Sequence, residues 1–492
     1  MVTDKKTGGA EIERLSTGVP GLDAILCGGL LPRAVYIVQG GPGEGKTILA
    51  NQICYHRAVR SERSLYVTLL AETHHRLLRH LQHMDFMESD ESGDAVYYES
   101  AFDTLRKDGL EGVLRFLIRN TKSQNASVIV LDGLFALEET SVSERTFREF
   151  INDLSVFADV SGCTVLLLTN SERSSGSPEF TMVDGWIELN SDEDECRSFR
   201  YLRVRKFRGS GFVSGRHMTR ISNHGFEVFP RLESVSGDAP APDSSSRRLS
   251  TGVKALDEII EGGLPCSSTT ALVGPTGVGK TSLGLSFIGE CSAEEPGLVF
   301  SFYEDAGRLE RRATALGLNF GQLVSSGVVE CLHYAPTEQL IDELAEHLLD
   351  AVRRRGVKRL FVDGVDGFQQ AAIYPRRTGP FFTALTSILR SEGVTTLFTA
   401  ELPELMGGEN AIRFSAVSAI AENIMLMRYA ELESTLHRTI TIMKMRESGF
   451  APYVHEFFFN ETGLRLVERM RRTEGVALGT PHRQPAEGGG DG

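Results

Sequence analysis

Residues 14–53 read RLSTGVPGLDAILCGGLLPRAVYIVQGGPGEGKTILANQI, and residues 248–287 read RLSTGVKALDEIIEGGLPCSSTTALVGPTGVGKTSLGLSF. The two stretches align without a gap: Arg14 and Arg248 are 234 residues apart, and so are Lys46 and Lys280. A single period this long means two whole domains in tandem rather than a solenoid of short units. Each stretch carries GxxxxGK[ST] between a strand-like apolar run and a helix-like run. In that setting glycines let backbone N–H groups wrap a polyphosphate while the helix N-terminus faces its charge. The expected nucleotide-binding residues are Gly41, Gly43, Glu44, Gly45, Lys46, Thr47 and Ile48 in the first copy. Those of the second are Thr276, Gly277, Val278, Gly279, Lys280, Thr281 and Ser282. Lys46 and Lys280 are expected to reach the β and γ phosphates, and Thr47 and Thr281 to ligate Mg²⁺.

Further along, Asp132 ends the run VIVLD and Asp363 ends RLFVD. An acid at the carboxyl edge of a buried strand is where a second metal-organising carboxylate is required in phosphate-loop NTPases. The copies diverge at the strand after the loop. The second reads Phe302-Tyr303-Glu304-Asp305, with two adjacent acids, and the first reads Leu70-Ala71-Glu72-Thr73, with one. A carboxylate at a strand end can orient or deprotonate an attacking water or hydroxyl. Asp305 and Thr73 also precede helical patterns and suit N-caps, so Glu304 and Glu72 are the stronger catalytic candidates. Asn170 and Glu401 end the strands after the Asp strands, as γ-phosphate sensors or as ordinary polar strand ends.

Strand-like runs alternate with amphipathic stretches throughout both copies: AVYIVQG, SLYVTLL, SVIVLDG and TVLLLTN, then TTALVG, GLVFSFY, RLFVDG and TTLFTAE. This is the signature of an α/β fold, a mostly parallel sheet with helices on both faces. Late in each copy, RSFRYLRVRKF and LHRTITIMKM read as antiparallel hairpins added to that sheet. The organisation is an N-terminal tail at 1–13, domain 1 at 14–232, a Ser/Pro/Ala/Asp-rich linker at 233–247, domain 2 at 248–472 and a tail at 473–492 expected to be disordered.

The formal charge of −14 over 492 residues argues against coating nucleic acid or an anionic membrane. The longest apolar runs are strand-sized, so a soluble, cytoplasmic protein is expected. Seven cysteines without CxxC spacing read as reduced thiols.

Taken together these residues resemble the KaiC family, the double-domain RecA-type ATPases of the bacterial clock. The resemblance covers nearly the whole chain: the LSTGxxxLDxIxxGGL segments, both phosphate loops, both Asp strands and the late hairpins. Lys206-Phe207-Arg208 and Lys444-Met445-Arg446 look like the family's Lys-x-Arg signature. The resemblance implies ATP as the nucleotide, Mg²⁺ as its metal and a homohexameric ring. In that ring Lys206, Arg208, Lys444 and Arg446 reach the neighbouring subunit's ATP, as an arginine finger does. It also implies an autokinase activity of domain 2, with Ser418 as the phosphoacceptor and Ser415 as the alternative if the register slips.

This chain departs from the family at two places. Ala71-Glu72 stands where the family has a Glu-Glu pair, and Ser418-Ala419 where it has Ser-Thr. The first puts strong hydrolysis by domain 1 in doubt; the second excludes the full two-site phosphorylation cycle.

Smaller signals carry less. His74, His75, His80 and His83 lack a clean i, i+4 pair and read as a solvated helix face. Arg353, Arg354 and Arg355 suit a helix C-terminus. Two other functions remain as readings of the sequence. One is a RecA-like recombinase or helicase acting on DNA, although SERSSGSPEFTMVDG and LPELMGGENAIRFS carry few cations or stacking aromatics. The other is a non-catalytic ATP-dependent switch that presents its C-terminal tail to a signalling protein.

Overall fold

The computed structural model describes residues 13–71, 74–87, 95–170, 178–194, 197–235, 247–402, 420–432, 434–446, 450, 453–461, 463–467, 473–474 and 482–483. The chain divides into two compact units at Val235 and Ser236. The division lies within the stretch read as a linker, and Leu232–Val235 adds a short helix to the end of the first unit.

Domain 1 is a nine-stranded sheet with strands β1 (Val35–Gly40), β2 (Arg63–Thr68), β3 (Val96–Ser100), β4 (Ala126–Asp132), β5 (Thr164–Thr169), β6 (Gly185–Asp194), β7 (Arg197–Phe207), β8 (His217–Ser222) and β9 (Gly225–Phe229). Their order is β3-β2-β4-β5-β1-β6-β7-β8-β9. The first six run parallel, and β7, β8 and β9 return antiparallel.

The central parallel strands β1, β4 and β5 are buried along almost their whole length because both faces are covered. Along β1, Tyr36 and Val38 join one core cluster while Val35 and Ile37 join the other. The two-residue side-chain period turns a continuous apolar run into two buried faces. The expected strands match β1, β2, β4 and β5. The edge strand β3 lies outside those expectations. Its residues VYYES are mostly half-buried, with neither alternation nor an unbroken apolar run to mark them.

Domain 2 repeats this plan. A short pair, β10 (Arg248–Leu249) and β11 (Leu264–Pro265), precedes β12 (Thr269–Gly274), β13 (Gly297–Ser301), β14 (Val329–His333), β15 (Arg359–Asp363), β16 (Thr395–Glu401), β17 (Asn423–Leu432), β18 (Thr435–Lys444), β19 (Val454–Asn460) and β20 (Gly463–Leu466). The nine strands of its main sheet run in the order β14-β13-β15-β16-β12-β17-β18-β19-β20. The amphipathic stretch IDELAEHLLDAVRRR forms helix Ile341–Arg355, buried along Ile341, Leu344, Leu348 and Val352. In the stretch expected to lack structure, β21 (Thr473–Glu474) pairs with β22 (His482–Arg483).

The repeated opening motif has one structural cause, present twice. Asp23 accepts hydrogen bonds from Ser16 Oγ, Thr17 N and Thr17 Oγ1 at 2.8, 2.9 and 2.6 Å. Asp257 accepts the equivalent three from Ser250 and Thr251 at 2.6, 2.8 and 2.7 Å. Arg14 and Arg248 each donate to two backbone carbonyls of the turn that follows. Gly29 and Gly263 close that turn with φ near 120°, where a Cβ would come within 2.4 and 2.2 Å of the carbonyl oxygens of Leu15 and Leu249. Only glycine fits there.

The six described cysteines are free thiols. Among the described residues no helix is long and apolar enough to cross a membrane, and no cluster of His, Cys, Asp or Glu is poised to hold a metal on its own.

Candidate functional site

Both phosphate loops sit at the carboxyl edge of the central strand. The first leaves β1 at Gly40 and enters helix Lys46–Val59; the second leaves β12 at Gly274 and enters helix Lys280–Gly289. The residues just before the helices, Gly45 and Gly279, have φ of 92° and 117°, a backbone region that side chains rarely adopt. A Cβ on Gly279 would lie 2.4 Å from Phe459 on β19, and one on Gly45 would lie 2.8 Å from Ile221 on β8. The late antiparallel strands therefore pack directly beneath the loops.

Each Walker lysine is folded onto its own loop. Lys46 Nζ donates to the carbonyls of Gly40 and Gly41 at 2.6 and 2.8 Å, and Lys280 Nζ to those of Gly274 and Pro275 at 2.7 and 2.9 Å. Burial pushes both ammonium groups below the usual lysine range. An incoming polyphosphate would oppose that shift, since an anion nearby favours the charged form.

The acids that end β4 and β15 have different neighbours. In domain 2, Asp363 accepts from Thr281 Oγ1 at 3.1 and 3.3 Å and from Thr399 Oγ1 at 3.0 Å, while Gly364 N donates to Thr399 Oγ1 at 2.7 Å. Burial raises the Asp363 carboxyl pKa, and the two threonine hydroxyls pull it partly back. The Thr281 hydroxyl beside this carboxylate is the hard-oxygen donor set that Mg²⁺ takes. In domain 1 the acid instead meets a phenol: Tyr66 on β2 donates to Asp132 Oδ2 at 2.7 Å.

Glu304 stands on the wall of a cavity of about 530 Å³ in domain 2, with Lys280, Thr281, Asp363 and Thr399 around it. Its carboxylate is held by Arg312, with Nη2 at 2.5 Å and Nε at 3.3 Å. Asp305 is the N-cap of helix Ala306–Ala315, accepting from Arg308 N at 2.9 Å. Thr276 Oγ1 donates to Glu401 Oε1 at 2.8 Å, which brings the end of β16 to the loop. In domain 1, Glu72 lies outside the described residues; Ala71 beside it is exposed. Asn170 follows β5, half-buried.

The two basic pairs are not at their own loops. Lys206 pairs with Trp186, which sits beside Ile37, and the sheet must run on to Gly40 before the domain 1 loop begins. Lys444 pairs with Ile424, beside Ala271, three residues before Gly274. At ~3.3 Å per residue this places Lys444 roughly 10 Å back along the strand from its own loop. Lys206 Nζ donates to the carbonyls of Phe180, Thr181 and Val183, and Arg208 to those of Thr181 and Met182, at the end of helix Pro178–Met182. Lys444 Nζ donates to Ala421 O at 2.8 Å, and the Arg446 side chain is exposed. Ser415 and Ser418 lie outside the described residues.

Sequence reasoning missed Arg312, Thr399, Tyr66, Arg438 and Phe459. Arg438 and Phe459 line the domain 2 cavity, with the Arg438 guanidinium 5.9 Å from the Phe459 ring centroid. For Thr399 and Tyr66 there was a faint signal, a polar group inside an otherwise apolar strand run. Arg312 offered none, being one of three arginines on an exposed helix face.

Comparison with known proteins agrees with this geometry. The family model for the KaiC ATPase matches residues 15–233 and again 249–471. A circadian clock protein KaiC3 of Synechocystis is 26% identical over 494 residues, covering 97% of this chain and 96% of the relative. Circadian clock oscillator proteins KaiC are 25% identical in Rippkaea orientalis, covering 98% and 93%, and 26% identical in Thermosynechococcus vestitus, covering 96% and 93%. With two tandem matches, each spanning a complete sheet with its own phosphate loop, this chain belongs to the KaiC family of ATPases.

Proposed function

We propose that the protein assembles as a nucleotide-dependent homohexameric ring in which domain 2 hydrolyses MgATP and domain 1 chiefly holds nucleotide. The observation that carries the reading is the convergence in domain 2. Lys280, Thr281, Asp363, Thr399 and Glu304 meet around one cavity, with metal donors on one side and a carboxylate on the other. When bound, Mg²⁺ would neutralise charge developing on the transferred phosphoryl group. Thr281 and Asp363 would hold it, and Lys280 would exchange its loop carbonyls for phosphate oxygens. Glu304 would orient or deprotonate the attacking water, which requires its carboxylate to leave Arg312.

The positions of Lys206, Arg208, Lys444 and Arg446 support the trans reading. Each pair lies towards the end of its sheet away from its own loop, so neutralising a γ phosphate falls to a neighbour's site. The relatives' printed names concern a circadian clock; a role in signalling or timing for this chain is part of the same proposal. For domain 1, Ala71 in place of an acid favours a switch-like holding role. The net charge of −14 gives the DNA-acting alternative no support.

Native mass measurement with and without ATP and Mg²⁺ tests the assembly. A hexamer that forms with MgATP and weakens on Arg446→Ala is expected; a monomer under saturating nucleotide removes every trans role. The kinase component is tested by incubating wild type and Ser418→Ala with labelled ATP. Label that is lost in the variant supports Ser418 as acceptor, and label unchanged by the substitution eliminates it.

A further inference from the structure

Domain 1 contains a buried polar layer beneath its phosphate loop that domain 2 lacks. Tyr66 is wholly buried and donates to Asp132 Oδ2 at 2.7 Å. Beside it, with ring centroids 5.5 Å apart, Tyr98 donates to Asn51 Oδ1 at 2.7 Å. Asn51 Nδ2 in turn donates to the Thr47 carbonyl at 2.7 Å. Thr47 is thus held through its backbone carbonyl. Tyr55 is a further buried phenol of the same core cluster, against which Tyr98 packs.

The period and the strand register identify the counterparts in domain 2. Asn51 and Tyr55 correspond to Leu285 and Gly289, 234 residues on. Tyr66 sits opposite Val130, two residues before Asp132, and Val299 sits opposite Phe361, two before Asp363. Tyr98 pairs with Tyr66 as Cys331 pairs with Val299. All four polar positions of domain 1 are apolar or glycine in domain 2. Burying several hydroxyls and an amide in a core is costly unless each is hydrogen-bonded, and a satisfied network fixes one arrangement of its members.

That fixed arrangement bears on the metal. In domain 2 the Thr281 hydroxyl touches Asp363 directly, and the pair offers its lone pairs to a cation. In domain 1 one oxygen of Asp132 is already engaged by a phenol that cannot swing out to solvent. We propose that Tyr66 takes the place of a metal-borne hydrogen-bond donor on Asp132, so that domain 1 holds nucleoside triphosphate through its loop amides and Lys46 with little dependence on Mg²⁺, whereas domain 2 requires the metal. The inference rests on the proposed nucleotide-holding role of domain 1 and adds to it a residue that sets metal dependence. Tyr66 is a positioning residue, acting through Asp132.

The test is a binding measurement on the full chain with N-methylanthraniloyl-ATP, in magnesium chloride and in EDTA. Lys280→Ala silences domain 2 so that domain 1 reports; Lys46→Ala does the reverse. The expected ratio of affinities, magnesium over EDTA, is within about fivefold for Lys280→Ala and roughly 10–100-fold for Lys46→Ala, the range by which metal-site partners typically act. Adding Tyr66→Phe to Lys280→Ala removes the hydroxyl and keeps the ring, and should raise the domain 1 ratio about tenfold by weakening binding in EDTA. Equal ratios in the two single variants overturn the proposal, as does an unchanged ratio in a folded Tyr66→Phe protein. If Tyr66→Phe does not fold, the two single variants, which keep Tyr66, decide the matter. Absence of binding by Lys280→Ala in both buffers would overturn the holding role of domain 1 and this inference with it. Binding with unequal ratios leaves that role standing whatever Tyr66 does.

Discussion

The two domains share a loop, a helix and an acid at the end of a strand, yet they support that acid from opposite sides. In domain 2 the support comes from β16, where Thr399 donates to Asp363. In domain 1 it comes from β2, where Tyr66 donates to Asp132. At the position matching Thr399, opposite the acid on β5, domain 1 has the buried Leu168. The cavity wall differs in parallel: Glu304 faces the cavity in domain 2, and Ala71 stands at the matching place in domain 1. A phosphate loop by itself therefore says that a domain binds nucleotide. The residues on the strands flanking the acid say what happens to the nucleotide afterwards.

The most severe test of this contrast is to remove each Walker lysine in turn. Lys280→Ala should reduce steady-state phosphate release by about 100-fold or more, the loss expected when a principal electrostatic contact to the transferred group is deleted. Lys46→Ala should leave most of the turnover in place. The reverse ranking would hand hydrolysis to domain 1.

A smaller effect sharpens the account of Glu304. The Arg312 ion pair is partly exposed, with side chains 44% and 21% accessible, so solvent limits it to about 0.2–1 kcal/mol. On the proposed role, in which Glu304 leaves Arg312 before it accepts a proton, Arg312→Ala should speed single-turnover hydrolysis by at most about fivefold. A tenfold loss would instead make Arg312 part of the catalytic apparatus.

The mildest prediction concerns stability. Burial holds the Asp363 carboxyl above its usual range. A carboxyl with a raised folded-state pKa carries no penalty below its unfolded pKa, and the full penalty once pH exceeds the folded value. Asp363→Asn should therefore raise Tm at neutral pH without nucleotide, each 1 kcal/mol gained being worth ~2–4 °C for a domain of this size. The gain should vanish as pH falls through the ordinary carboxyl range. A lower Tm at neutral pH would mean that the hydrogen bonds from Thr281 and Thr399 outweigh desolvation.

Much of this architecture is legible in the amino-acid sequence. The strand-loop-helix context of both loops, the Asp at each strand end and the late hairpins follow from periodicity and from the positions of glycine and apolar residues. The capping of a helix by Asp305 is legible too, because an acid just before an amphipathic run has a local job. The edge strands β3 and β14 escape such a reading, since half-buried strands lack a clean pattern. Arg312 escapes it because it meets Glu304 only after one turn of chain and two helical turns fold it back.

The sequence by itself determined that there are two nucleotide-binding α/β domains, because short-range spacing dictates the loop's backbone and the apolar runs dictate the buried sheet. Only the tertiary structure decided which side chains attend each acid. Tyr66 and Asp132 are neighbours only because β2 pairs with β4 in one register, and a slip of one residue would turn the phenol to the other face. Pairing between distant strands is fixed by packing of the whole sheet, and that is where the two copies acquired different chemistry.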